Sequence, residues 1–257
     1  MTEISIIIPC YNEYSRLPKT IDIIDSWLST QKFFKVELIL ANDGSKDKTI
    51  EILNNTKKKF EQKKICSVKV FDFEHRGYIA TLFDCYQKSS NDIICNMEAD
   101  CSIHPNNFEF FFKFINEYEM IQGSRLLEQA KNNASQNKGL IRTFISYFYS
   151  YIFRIMFKTN ITDPQIGFKM IKKSNLLYCL KNIKLNHDGL KVTELTLRFL
   201  HKNFRIKEIA VTNHHDDDSR LVPKFSFVKP LPFLRVIVSN FLALIRLYYI
   251  LKNERNA

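Results

Sequence analysis

Ile4-Ser5-Ile6-Ile7-Ile8-Pro9-Cys10-Tyr11-Asn12-Glu13 is the stretch that decides the fold. A β-branched apolar run stops at a proline and gives way to polar residues. That pattern suits a strand buried on both faces that ends in a loop. Leu17, Ile21, Ile24 and Leu28 follow at helical spacing. The motif then recurs. Val36–Leu40 reads as a second buried strand, ending at Asn42-Asp43-Gly44-Ser45, and Lys48–Phe60 as a helix. Val68–Phe73 is a third strand, Tyr78–Lys88 a helix, and Asp92–Met97 a fourth strand ending at Glu98-Ala99-Asp100. Strand and helix alternating in this way predict an α/β fold with a mostly parallel sheet and helices on both faces.

Polar clusters follow the carboxyl ends of strands one, two and four, where open α/β sheets bind their ligands. Asn-Asp-Gly-Ser alone is ordinary turn chemistry. Three carboxylate-bearing turns on one sheet edge are a candidate site.

The second half reads less regularly. Phe108–Tyr118 is expected to be an aromatic-rich helix, Met120–Ser124 a strand, and Leu127–Lys138 a mobile loop. Thr143–Phe157 is expected to be an apolar helix and Asp163–Lys169 a loop leading into a strand or turn. Gly189–Lys202 reads as a helix, Phe204–Val211 as a strand, and His214–Arg220 as a charged loop whose Asp216, Asp217 and Asp218 face solvent. The aromatics of 144–153 suit a core, or a path for an apolar chain.

Leu231–Leu251 is mostly apolar and long enough to span a bilayer. It carries Arg235 and Arg246, which fall about 20° apart on an ideal helix. Each would cost roughly 2.5–3.5 kcal/mol near a bilayer centre. The favoured reading is therefore a basic stripe opposite a Leu/Ile/Phe/Tyr face, lying in a membrane interface; packing on the domain is the alternative. The organisation expected is a domain over 1–225 and an amphipathic helix over 226–257.

Composition excludes several classes. The chain has 257 residues and is 45% hydrophobic, so it is not disordered throughout. Six Gly and seven Pro exclude collagen-like material. None of the six cysteines forms a C-x-x-C pair, which argues against zinc and thioredoxin-type sites. Reduced thiols and an intracellular setting are expected. Met1-Thr2-Glu3 before a short apolar run does not resemble a signal peptide. The net charge of +11 suits a lysine-rich solvated surface, an anionic membrane or phosphate-bearing substrates. No nucleic-acid motif accompanies it, so nucleic acid is not expected as a partner.

Glu98 and Asp100 stand two apart at a strand end, and their carboxylates converge if the backbone turns there. Such a pair suits a divalent cation on a diphosphate, whose charge grows as a glycosidic bond breaks.

Ile6–Glu13, Asn42–Thr49 and Met97–Asp100 resemble the family 2 inverting glycosyltransferases, and most of all the dolichyl/polyprenyl-phosphate sugar synthases. Gly123-Ser124-Arg125 is similar to that group's G-[ST]-R element. Asp163-Pro164-Gln165-Ile166-Gly167-Phe168-Lys169 resembles the D-x-Q-C-G-F-K segment of the glucosyltransferase branch, and Ser219-Arg220 its closing S-[KR] pair. The resemblance spans about residues 4–225.

The resemblance implies a GT-A-like, Rossmann-type nucleotide-sugar domain. Pro9, Tyr11, Glu13 and Asp43 would line the nucleotide pocket. Glu98 and Asp100 would hold Mg²⁺ or Mn²⁺. Arg125 and Arg220 would bind phosphate, as the planar guanidinium fork suits. Glu194 matches an acidic position of the catalytic set. The implied reaction moves a hexose with inversion from a nucleotide sugar, UDP-glucose ahead of GDP-mannose, to polyprenyl phosphate on the cytoplasmic membrane face. A membrane-anchoring subunit or a homo-oligomer is compatible with it. A surface-glycan acceptor, or nucleotide-sugar binding without turnover, are the alternatives. Four positions depart from the pattern: Asn42 for Asp, Glu98 for Asp, His75-Arg76-Gly77 for N-x-G, and Ile166 for Cys.

Overall fold

A computed structural model describes residues 1–130, 140–184, 190–213 and 231–256. Its centre is a seven-stranded sheet of order β3-β2-β1-β4-β6-β5-β7. The strands are β1 (Thr2–Cys10), β2 (Phe34–Asp43), β3 (Ser67–Phe73), β4 (Ile93–Asn96), β5 (Met120–Ser124), β6 (Lys169–Lys172) and β7 (Ile206–Ala210). β1 to β4 pair in parallel, as the alternation predicts. β6 runs antiparallel to both β4 and β5, while β5 and β7 are parallel. Apolar periodicity reports burial and carries no strand direction, so the sequence does not announce this reversal.

Alternate residues of the central strands feed two cores. Ile4, Ile6, Ile8, Leu38 and Leu40 meet α1 (Leu17–Thr30), α2 (Thr49–Lys63) and α4 (Asn107–Phe112). Ile7, Ile39 and Ala41 meet α3 (Tyr78–Lys88), α6 (Lys173–Leu180) and α7 (Lys191–His201) on the other face. Burial on both faces explains why β1 and β2 read as continuous apolar runs. Pro18 stands in the first turn of α1, where its missing N–H costs nothing.

Two elements differ from expectation. The helix expected over Phe108–Tyr118 ends at Phe112. Beyond it Phe114 and Ile115 donate to Phe111 and Phe112 at 3.0 and 3.3 Å, as tighter turns. Phe and Asn are poor helix formers, and packing of Phe111 and Ile115 into the core sets the path instead. α6 has no counterpart among the expected elements, because it is short and weakly patterned. Of the expected loop over Leu127–Lys138, residues 127–130 form turns and the rest lies outside the described residues.

The third core joins α5 (Leu140–Phe157), α7 and α8 (Leu231–Asn256) through Tyr149, Phe153, Leu197, Leu244, Leu247 and Leu251. Arg198 of α7 pairs with Glu254 of α8, and Lys184 reaches the same carboxylate at 2.7 Å. The face of α8 opposite the arginines is thus buried in the domain. A second apolar row, Leu234, Val238, Leu242, Ile245 and Tyr249, lies exposed beside the exposed Arg235 and Arg246. The arginines border the exposed row; they do not oppose it. By length and composition α8 also qualifies as a membrane span over Phe233–Glu254.

Candidate functional site

The strand order reverses between β1 and β4, and the loops after β1, β2 and β4 meet there. Pro9 is buried at the end of β1 opposite Ala41. Asn12 takes a left-handed turn (φ 54°), which its short polar side chain tolerates. Its N–H donates to Ser45 Oγ at 2.9 Å, and its Oδ1 accepts from the Lys46 N–H at 2.8 Å. The Glu13 N–H donates to Thr49 Oγ1 at 2.8 Å. These bonds stitch the β1 and β2 loops into one rim. The Glu13 carboxylate accepts from Arg16 at 2.7 and 2.5 Å.

Asp43 is buried, and its carboxylate accepts from the Arg76 and Gly77 N–H groups at 2.9 and 3.0 Å. His75 Nδ1 stands 3.0 Å from both the carbonyl and the carboxylate of Asp43. Its ring stacks on Tyr11 with centroids 4.1 Å apart. Only glycine fits at Gly44, where φ is +65° and a Cβ would lie 2.6 Å from the His75 nitrogen. Tyr11, Asp43 and the 75–77 turn therefore form one wall.

The surroundings of Asn42 explain its departure from the family pattern. It sits opposite Asp72 of β3, and its Nδ2 donates to the Asp72 carboxylate at 2.6 Å. An aspartate there would face a second carboxylate with no proton between them.

After β4 the backbone makes the turn that the carboxylate pair requires. The Cys101 N–H donates to the Glu98 carbonyl at 3.1 Å, and Cys101 adopts φ 49°. Thr20 Oγ1 of α1 donates to the Ala99 carbonyl at 2.7 Å and pins the loop. Asp100 Oδ1 accepts from the Ser102 N–H at 3.0 Å, and Glu98 Oε2 from Ser102 Oγ at 2.9 Å. Burial, and then the charge of Asp100, raise the Glu98 pKa. The structure so brings Glu98 and Asp100 together. A cleft of about 640 Å³ opens beside Asp100, bordered by Lys19, His104 and Phe110.

Among the described residues no cluster of three or more His, Cys, Asp or Glu side chains is placed around a metal. Two carboxylates still suit a hard divalent cation that completes its shell with diphosphate oxygens. The Glu98 Oε1 atom also borders a niche that a Cβ on Gly167 would fill.

Across the sheet, Arg125 follows β5 and meets Asp163. Its Nε and Nη2 donate to the carboxylate at 2.7 and 2.9 Å, and its backbone N–H at 3.1 Å. Burial would raise the Asp163 pKa, but the guanidinium outweighs it and holds the carboxyl below its usual range. The charges of Glu98 and Asp100 also act on Arg125, so the cation stands near the carboxylate pair.

Asp163 is itself held from below. Glu208 of β7 accepts from the Asp163 and Thr162 N–H groups at 2.9 and 2.7 Å and from Gln122 Nε2 at 3.0 Å. Lys169 is buried with its ammonium on Gln122 Oε1 and on Thr196 Oγ1 at 3.2 Å. Burial pulls its pKa down to about 7. Sequence reading assigns no role to Gln122, Lys169 or Glu208; the clue is a lysine and a glutamate among apolar strand residues.

Glu194 follows Thr193 in the first turn of α7. It is fully buried in α7, where Oε1 accepts from Arg198 at 2.8 Å and from the Lys184 N–H at 2.9 Å. It so joins the pairing of α7 with α8. Arg220 and the acidic stretch around it lie outside the described residues. All six cysteines are free.

The sequence model of Glycosyl transferase family 2 matches residues 5–177. The human protein named dolichyl-phosphate beta-glucosyltransferase is 25% identical over 248 residues, covering 91% of this chain and 75% of that protein. Its Drosophila melanogaster namesake is 22% identical over 236 residues, covering 88% and 72%. Among solved structures, glucosyl-3-phosphoglycerate synthase from Mycobacterium tuberculosis with Mg²⁺ and UDP superposes with a TM-score of 0.62 at 13% identity, over 95% of this chain and 79% of that one. Mannosyl-3-phosphoglycerate synthase from Rubrobacter xylanophilus gives 0.60 at 11%, over 95% and 73%. The fold is GT-A-like.

Proposed function

The chain belongs to glycosyl transferase family 2, and from that premise we propose that it transfers a hexose from a nucleotide sugar to a polyprenyl or dolichyl phosphate, with inversion. UDP-glucose is the favoured donor. The relatives named dolichyl-phosphate beta-glucosyltransferase support this choice. The observation that carries it is the two-point clamp of Asp163 on Arg125, within electrostatic reach of Glu98 and Asp100. Asp163 opens the segment that resembles the glucosyltransferase branch.

In this reading the rim of Tyr11, Glu13 and Asp43 holds the nucleotide. Glu98 and Asp100 hold Mg²⁺ or Mn²⁺, which when bound neutralises charge on the leaving diphosphate. Arg125, fixed by Asp163, presents guanidinium donors to the acceptor phosphate. A phosphate monoester has a second pKa of about 6, so it attacks already ionised and needs no strong base. Attack opposite the departing diphosphate inverts the anomeric centre. Orientation and charge neutralisation supply the catalysis.

The acceptor in this reading is a lipid, and the surface suits one. Phe144, Tyr147 and Tyr151 of α5 are exposed, as are Val238, Leu242 and Tyr249 of α8. The two helices meet at a seam where the Phe148 and Phe241 rings stand 5.9 Å apart. Arg235 and Arg246 border the exposed row of α8, as befits a helix pair resting on anionic lipid at the cytoplasmic face.

The test is transfer of radiolabelled sugar from UDP- and GDP-sugars into a polyprenyl-phosphate extract, with Mn²⁺ or EDTA. Metal-dependent, acid-labile lipid label from UDP-glucose is expected. Donor hydrolysis without lipid label would move the acceptor to a glycan, and no turnover with any donor would leave a binding protein.

A further inference from the structure

Tyr78 opens α3, directly after Gly77, whose N–H is held by Asp43 at 3.0 Å. Its phenol oxygen is buried and has no hydrogen-bond partner among the described residues. A buried hydroxyl without a partner is costly, and native structures keep few of them. The neighbours of this one are informative. A Cβ built on Gly167 would lie 2.9 Å from Tyr78 Oη and 2.9 Å from Glu98 Oε1. Both oxygens thus converge on one niche, which glycine leaves open. The other Glu98 oxygen is already taken by Ser102 Oγ at 2.9 Å.

We propose that Tyr78 is a positioning residue: its O–H, unpaired among the described residues, closes onto Glu98 Oε1 across the shared niche and, with Ser102 on the other oxygen, orients this carboxylate toward a divalent cation. The inference rests on the metal-assisted reading above. Partners that orient a metal ligand commonly govern affinity for the ion.

The test is Mn²⁺ binding to the full chain with UDP present, followed by electron paramagnetic resonance of free Mn²⁺. Tyr78→Phe should weaken Mn²⁺ binding about tenfold, while UDP binding without metal and the thermal midpoint stay at wild-type values. Tyr78→Met, which removes the O–H with a flexible apolar side chain, should weaken Mn²⁺ similarly; it decides the matter if Tyr78→Phe fails to fold. Wild-type Mn²⁺ affinity in the folded variants, alongside loss in Glu98→Gln, would overturn the role of Tyr78 and leave the metal reading standing. No Mn²⁺ binding by the wild type would overturn both.

Discussion

Arg125 and Asp163 meet through two parallel hydrogen bonds of 2.7 and 2.9 Å, and the Arg125 N–H closes a third at 3.1 Å on the same carboxylate. One aspartate therefore sets both the backbone and the guanidinium of the residue that follows β5. Asp163→Asn should cost about 3 kcal/mol, since it leaves a largely buried guanidinium without its counter-charge. Urea unfolding measures it. The Asp163 pKa is lowered in the folded state, so its contribution is present above the usual carboxylate pKa of about 3.9 and is lost as pH falls through the lower folded value. The variant should lack that part of the acid transition.

Lys169 carries a dependence of the same sign in a higher pH window. Its folded pKa is about 7, below the unfolded value of roughly 10.4. Between the two the unfolded chain binds the extra proton, so stability should rise with pH across that window. Lys169→Met should flatten the rise, as read by thermal midpoints from pH 7 to about 10.

Asp100→Asn should abolish metal-dependent turnover and leave circular dichroism and the thermal midpoint unchanged. Full activity in that variant would sink the assignment of Asp100 to the cation.

Asn42→Asp should destabilise the protein by on the order of 1 kcal/mol, because a donor to Asp72 becomes a second carboxylate. Adding Asp72→Asn should recover most of the loss, and a double-mutant cycle by urea unfolding checks it.

Leu242→Glu together with Tyr151→Glu should lower co-sedimentation with anionic vesicles about tenfold or more, since charge replaces apolar groups at the lipid boundary. Wild-type binding should itself weaken as salt rises. Unchanged sedimentation of the variant would refute the interfacial reading of α5 and α8.

Much of the site was legible because its residues follow strands whose burial pattern is local. Pro9, Tyr11, Asp43, Glu98 and Asp100 all stand at or just past the end of an apolar run, and chain order alone puts such positions on one sheet edge. Tyr78 and Gly167 were not legible. They meet across a long stretch of chain, and a tyrosine at a helix start looks like any other core aromatic.

By itself, the sequence determined the alternation of strand and helix through β4, the turn chemistry at 42–45 and 98–100, and the arginine stripe of α8. Each follows from side-chain period and backbone preference within a few residues. The tertiary structure alone decided the reversed direction of β6, the clamp of Asp163 on Arg125, the pairing of Arg198 with both Glu194 and Glu254, and which apolar row of α8 is buried. These depend on contacts between distant segments, where packing and charge pairing select among arrangements that local pattern leaves equal.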